Sequence, residues 1–215
     1  MLTIACVLRS GGDFDPRWVR ALEAGVRAHL PPSYRLPEPI RFVCLSDTEV
    51  HCERIPLLHD WLRWWPKIEL FRPGLFTDRV LYLDLDTLVV GDLSDVCNYR
   101  GPFAMLADFY KARRGKKEGE SGVMAWTPGP HTEAIYRAFV AKDRKPAGPR
   151  DGAFIRRHVK HEYLQDLFPG QIVSLKVHAR SGPPPGSRLT CGHGRPRLSD
   201  PAAGWAHKAW RALAC

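Results

Sequence analysis

The chain has no internal repeat, no low-complexity tract and no apolar run long enough for a membrane-spanning helix, which excludes solenoids, fibrous arrays and helical membrane bundles. No Cys-x-x-Cys pair occurs among its six cysteines, at positions 6, 44, 52, 97, 191 and 215, so neither a zinc ribbon nor a disulfide framework is expected. Cys6 and Cys44 lie inside apolar runs, where a free thiol acts as a small hydrophobe; the expected compartment is the reducing cytoplasm. Met1 leads directly into Leu2 without a basic leader, so a secretory signal is not expected, while peripheral membrane attachment stays open. Also missing are an RNP-like strand, zinc-finger spacing and a helix-turn-helix pattern, which leaves a nucleic-acid partner unsupported. The net charge of +9, from 32 Lys and Arg against 23 Asp and Glu, is spread along the chain rather than gathered in a basic arm. Such a background suits small anionic substrates; a basic nucleic-acid-binding module is the minor alternative.

What is present is an α/β pattern. A length of 215 residues, with 44% hydrophobic and 26% charged content, fits one globular domain over 1–215. Its two halves are expected to divide at about residue 100. The run 2–8 reads as a buried strand broken by Arg9-Ser10-Gly11-Gly12. Asp15-Pro16 opens a helix with Val19, Leu22, Val26 and Leu30 on one face, stopping at Pro31-Pro32. Residues 40–45 form a second strand ending at Ser46-Asp47. Strand, helix, strand at this spacing is a βαβ unit, so a mostly parallel, Rossmann-like sheet flanked by helices is expected, with ligands at the carboxyl ends of its strands. Further expectations are a short helix from Pro66 and strands at 80–83, 88–90, 102–106, 121–126 and 171–177. Helices are expected at 130–141 and from Asp151. Residues 111–120 read as a solvated loop, with acceptor binding as its second reading, and 205–210 as a small aromatic helix on the sheet or an acceptor rim.

The chemistry concentrates at Asp84-Leu85-Asp86, where the apolar run Val80-Leu81-Tyr82-Leu83 stops. In an extended chain residues two apart point the same way, so both carboxylates can address one hard cation while Leu85 turns into the core. Mg²⁺ or Mn²⁺ takes oxygen ligands and commonly arrives with substrate phosphates, so the pair points to phosphate or diphosphate chemistry. The plainer alternative is that the acids only terminate a strand.

Four blocks in order resemble the retaining glycosyltransferases of the glycogenin and lipopolysaccharide galactosyltransferase type, which have the GT-A fold. They are the segment from Val80 through Asp84-Leu85-Asp86 to Leu93, Ser121-Gly122-Val123-Met124, Asp151, and Gly192-His193-Gly194-Arg195-Pro196-Arg197. The resemblance implies a UDP-sugar donor, a Mn²⁺ or Mg²⁺ ion, and transfer of a hexosyl unit to an acceptor hydroxyl with retained configuration. The acceptor could be a carbohydrate, a lipid-linked molecule or a protein. Asp84 and Asp86 match the metal-binding carboxylates, and Leu8, Arg9, Ser10 and Asp47 match positions lining the uridine pocket. Ser121 and Gly122 fall beside the donor sugar. Lys67 stands where the family has a basic residue near the donor; its alternative role is an exposed helix cation. Lys67 and Asp151 are the catalytic candidates, Asp151 through donor positioning with nucleophilic assistance as the alternative. Arg195 and Arg197 are candidates for the diphosphate.

Several positions depart from the family pattern. Aligning on Gly194 places Cys191 where a metal-binding His is expected, while His193 is the nearby imidazole. His193 is favoured as third ligand because a hard cation prefers imidazole to thiolate, and Cys191 stays as the alternative. Gly152 replaces a Gln after Asp151, Glu120 an Asn before Ser121, and Leu198 a Pro. These departures keep a second reading open, a catalytically weak nucleotide-sugar-binding protein. A haloacid-dehalogenase-like phosphohydrolase is weaker still, because that motif needs Thr at position 88, which is Leu here.

Overall fold

Alternate residues of the central strands feed two cores, one on each face of a seven-stranded sheet. In this computed structural model, which describes residues 1–30, 39–142 and 150–215, the chain opens with β1 (Leu2–Leu8), α1 (Pro16–Ala28) and β2 (Ile40–Ser46). Ile4 and Cys6 of β1 enter the core beneath α1, while Ala5 enters the opposite one, as the two-residue period of a strand requires. Asp15 caps α1, its carboxylate accepting from the Arg17 amide at 2.9 Å, and Pro16 occupies the first turn. The expected Pro31-Pro32 stop lies outside the described residues; α1 ends at Ala28.

Next come β3 (Glu53–Pro56), a buried 3₁₀ helix (Trp65–Phe71), β4 (Arg79–Leu83), β5 (Thr87–Val89) and the short α2 (Ser94–Cys97). The second half holds β6 (Phe103–Ala107), α3 (Phe109–Ala112), β7 (Gly119–Trp126), α4 (Pro130–Val140) and α5 (Asp151–His158). It closes with β8 (Glu162–Tyr163), α6 (Leu164–Leu167), β9 (Ile172–Ser174), β10 (Leu189–Cys191), a 3₁₀ turn (Pro201–Ala203) and α7 (Trp205–Ala214). The main sheet runs β3-β2-β1-β4-β7-β6-β8, with β7 antiparallel to both neighbours and the remaining pairs parallel. From β1 the chain crosses to β2 on one side and later to β4 on the other. That reversal makes the carboxyl ends of β1 and β4 the crevice of the sheet.

Several expectations need correction. The chain does not stay extended through Asp84-Leu85-Asp86: the Thr87 amide donates to the Asp84 carbonyl at 3.0 Å, closing a turn, and β5 leaves for a separate sheet ordered β5-β10-β9. The strand foreseen over 171–177 is only Ile172–Ser174, because the chain turns where the His178 and Ala179 amides donate to the Ser174 carbonyl. Residues 111–120 are not one loop, since α3 takes their start and β7 begins at Gly119. The C-terminal helix rests on α1 rather than on the sheet, with Trp210 and Trp18 rings 4.9 Å apart. Among the described residues no helix is long and apolar enough to cross a membrane.

Candidate functional site

The ends of β1 and β2 are tied together by Asp47. Its carboxylate accepts from the Ser10 amide at 2.7 Å and the Ser10 hydroxyl at 2.5 Å, and pairs with the Arg9 guanidinium at 2.7 Å. Partial burial pushes the Asp47 carboxyl up, but the Ser10 hydrogen bonds and Arg9 outweigh it and hold the group below the ordinary carboxylate range. Leu8 is buried just before this clasp. All four residues expected to line a base pocket therefore gather at one corner of the crevice.

Lys67 is the hub of the next group. It is buried in the 3₁₀ helix Trp65–Phe71, and its Nζ lies 2.9 Å from Asp84 Oδ1 and 3.0 Å from Asp151 Oδ2. It also donates to the Ser121 hydroxyl at 3.2 Å, and Ser121 in turn donates to Asp151 Oδ2 at 2.6 Å. One side chain thus links the end of β4, the middle of β7 and the first turn of α5. Burial alone would push the ammonium down; the charges of Asp151 and Asp84 reverse this and raise it above the ordinary lysine value. The exposed-cation reading of Lys67 is excluded by this placement. Tyr82, two residues before Asp84 on the same face of β4, donates its hydroxyl to Asp84 Oδ1.

Asp86 has a different partner. Arg197 Nη1 lies 3.2 Å from Asp86 Oδ2, and its Nη2 lies 2.7 Å from Asp13. The Arg197 guanidinium also stands 5.0 Å from the centroid of the Phe14 ring. Burial first, then repulsion from Asp84, lift the Asp86 carboxyl to about 7, against attraction from Arg197 and Lys67. Each aspartate of the pair spends one oxygen on a protein cation. Asp84 Oδ2 and Asp86 Oδ1 receive no hydrogen bond from another described residue. Asp13, Asp84, Asp86 and Asp151 bring four carboxylates to only two cations, Lys67 and Arg197. Surplus negative charge with two free carboxylate oxygens fits a hard divalent ion completed by substrate phosphates.

The third ligand foreseen for such an ion is not assembled here. Among the described residues no group of three His, Cys, Asp or Glu side chains converges on one point. His193 Nε2 is 2.7 Å from the Ser174 hydroxyl, and its ring stacks on Phe109 at 6.2 Å. Cys191 is buried on β10, where burial first and then Asp86 and Asp84 raise its thiol above the ordinary value. The C-terminal block nevertheless runs alongside the acidic turn: Cys191 pairs with Thr87 across β10 and β5, and the Gly192 amide donates to the Asp86 carbonyl at 2.8 Å. A Cβ at Gly192 would come 2.7 Å from that carbonyl oxygen, so only glycine permits the approach. Arg195 is exposed and lies off this contact chain.

Ser121 and Gly122 flank the first aspartate, with the Asp84 amide donating to the Gly122 carbonyl at 2.9 Å. Gly152 has a packing reason for being glycine. A Cβ there would meet the Ser121 amide nitrogen at 3.0 Å and Glu120 Cα at 3.1 Å, because α5 presses directly on β7. Gly152→Gln is therefore expected to cost about 1–3 kcal/mol by overpacking. A urea denaturation curve measures this, and a variant as stable as the parent would contradict the close approach.

No protein-family profile matches this chain, and no curated protein sequence is detectably similar to it. Solved structures are. The active-site mutant of LgtC superposes with a TM-score of 0.63 at 13% identity, covering 99% of this chain and 95% of that one. The galactosyltransferase LgtC in complex with donor and acceptor sugar analogues gives 0.62 at 12% identity, covering 98% and 96%. The glycosyltransferase GlyE of Streptococcus pneumoniae TIGR4 gives 0.64 at 12% identity, with 99% of this chain lying over 62% of GlyE. The chain has the fold of these glycosyltransferases.

Leu8, Arg9, Ser10 and Asp47 thus form one cluster, Lys67, Asp84, Ser121, Gly122 and Asp151 a second, and Asp86 with Arg197 a third beside it. Tyr82, Asp13 and Ser174 were not among the candidate site residues. Tyr82 was legible from the two-residue strand period, since it shares a face with Asp84. Asp13 and Ser174 carried no signal, because their partners Arg197 and His193 are far along the chain.

Proposed function

We propose that this chain is a metal-dependent glycosyltransferase that moves a hexosyl unit from a UDP-sugar to an acceptor hydroxyl with retention of configuration. The observation that carries the reading is the acidic turn at the end of β4. Two carboxylate oxygens stay free there, beside Ser121-Gly122, in the crevice of a sheet with a glycosyltransferase fold. Residues 1–100 supply the nucleotide side and residues 101–215 the sugar and acceptor side. Asp84 and Asp86 would hold Mn²⁺ or Mg²⁺, which when bound neutralises charge gathering on the departing diphosphate.

The chain's own side chains supply the rest. Leu8, Arg9, Ser10 and Asp47 receive the uridine, with Asp47 fixing the Ser10 amide and hydroxyl. Arg197 brings a planar fork suited to two phosphate oxygens, already held at Asp86. Asp151 Oδ2 is occupied by both Lys67 and Ser121, which lowers its nucleophilicity and favours a positioning role at the sugar. The Lys67 ammonium stands between the Asp84 and Asp151 carboxylates, 2.9 and 3.0 Å away, and holds the two together. Gly152 offers no polar side chain to the sugar, and this observation favours a second reading, a nucleotide-sugar binder with weak turnover. Product formation rather than binding separates the two.

Isothermal titration of UDP with Mn²⁺ and with a chelator tests the proposal. Binding in Mn²⁺ that weakens on chelation is expected; no binding in either condition would overturn it. Because the Asp86 carboxyl is raised from 3.8 to about 7, below neutrality a cation must displace its proton. Mn²⁺-dependent UDP affinity should therefore climb from pH 6 to pH 8 and level off above, and a flat profile would contradict the assignment. The same shift makes Asp86 favourable to folding below its unfolded value, an effect lost as pH rises through about 7.

A further inference from the structure

A cavity of roughly 380 Å³ opens beside the C-terminal block and has no part in the donor contacts described above. Lys176, Arg180 and Arg195 line it, with Leu175, Pro196 and two alanines as its apolar walls, and no acidic residue faces it. Its size falls in the range of small-molecule sites, about 300–1,000 Å³. Among the described residues none of the three cations has an ion-pair partner. Among the described residues the Lys176 ammonium has no hydrogen-bond acceptor, and the Arg180 guanidinium bonds only through Nε, to the Lys176 carbonyl at 2.7 Å. Burial first and then Arg197 lower the Lys176 ammonium from its ordinary value, with Asp86 acting in the opposite sense. Arg197, which holds Asp86, is not among the walls. The cavity borders the transfer centre all the same, since Lys176 feels the charges of both Arg197 and Asp86.

A concave site lined by unpaired cations selects a compact oxyanion, and bidentate guanidinium favours phosphate. The donor's phosphates are accounted for by Asp84, Asp86 and Arg197, and its base by the clasp at the ends of β1 and β2. We propose that the Lys176–Arg180–Arg195 cavity binds the phosphate or diphosphate group of a phosphate-bearing acceptor. The inference rests on the transferase reading for the word acceptor. A soluble sugar phosphate and an isoprenoid diphosphate share the recognised chemistry.

The test titrates the intact protein, saturated with UDP and Mn²⁺, with glucose 1-phosphate in one arm and farnesyl diphosphate in the other. The Trp205 indole, bonded to the Ala179 carbonyl at 2.6 Å beside Arg180, provides a fluorescence readout alongside calorimetry. At least one probe is expected to bind without displacing UDP, and the tighter arm names the source. Lys176→Ala/Arg180→Ala should weaken that binding by about tenfold or more, given the worth of charged hydrogen bonds, while UDP affinity changes by less than about twofold. Arg180 is exposed and Lys176 half-buried, so the variant should fold, and a matching thermal melt confirms it. Lys176→Glu should weaken the probe further. Failure of both probes to bind, displacement of UDP by the probe, or unchanged probe binding in the double variant would each overturn the proposal. If the wild type binds a probe but not UDP, it is the transferase reading that falls, and the cavity remains an anion site without an acceptor role.

Discussion

Lys67→Met is expected to remove nearly all turnover and to cost about 3 kcal/mol of stability, because it strands the buried Asp151 and the partly exposed Asp84 without their shared counter-charge. Asp84 and Asp151 both sit within 3.0 Å of the Lys67 ammonium, and Asp151 is as buried as the lysine itself. Methionine keeps the length and loses the charge. Turnover should fall by about 10²–10³-fold, the usual effect of deleting one charge-organising group in a preorganised site. Lys67→Arg should not restore it, since a planar fork does not fit a space shaped by three acceptors around one ammonium. Urea denaturation reads the stability and UDP release from UDP-sugars the turnover. A Lys67→Met protein of parental stability would show that the three-way contact is not what organises the site.

The second large effect separates stability from function. Asp86→Asn should abolish most Mn²⁺-dependent UDP binding, by about 100-fold or more, since losing a charged ligand outright costs more than the roughly 10–100-fold lost when a group that merely hydrogen-bonds a ligand is removed. Its stability should hold or rise above pH 7. Burial and the repulsion of Asp84 make the ionised Asp86 costly, and Arg197 keeps Asp13 at 2.7 Å as a partner. Asp84→Asn should likewise lose UDP binding, with Lys67 retained by Asp151. A variant that loses binding only by unfolding would contradict this. Calorimetry and a thermal melt on the same sample distinguish the two outcomes.

The fold was largely legible because its signals are local. The runs in β1, β2 and β4 and the Asp15-Pro16 cap stand in the sequence as continuous patterns, and their order dictates a mostly parallel sheet with its crevice at strand ends. What escaped were elements too short to have a period. β10 is three residues long, yet its pairing with β5 is what brings Gly192 against Asp86. The length of β9 was overread because Leu175 and Val177 extend the apolar run beyond the turn that ends the strand.

The site divides in the same way. Asp84, Asp86 and Asp151 lie next to a strand end or a helix start, and Ser121 and Gly122 within an apolar strand run, and they could be placed from those. Burial of Lys67 could not, because one lysine in an aromatic segment gives no sign of which way it points; only the meeting of β4, β7 and α5 decides it. Gly152 shows the converse. In the sequence it is a missing polar residue, and in the structure it is the position where α5 lies so near β7 that a Cβ would meet the backbone of residues 120 and 121 at 3.0–3.1 Å.

The most direct measurement is release of UDP from a panel of UDP-hexoses in Mn²⁺, comparing the parent chain with an Asp84→Asn/Asp86→Asn variant of equal thermal stability. The account predicts release from at least one donor by the parent and none above background by the variant. Release that is equal in the two proteins, or absent from the parent with every donor, would contradict it.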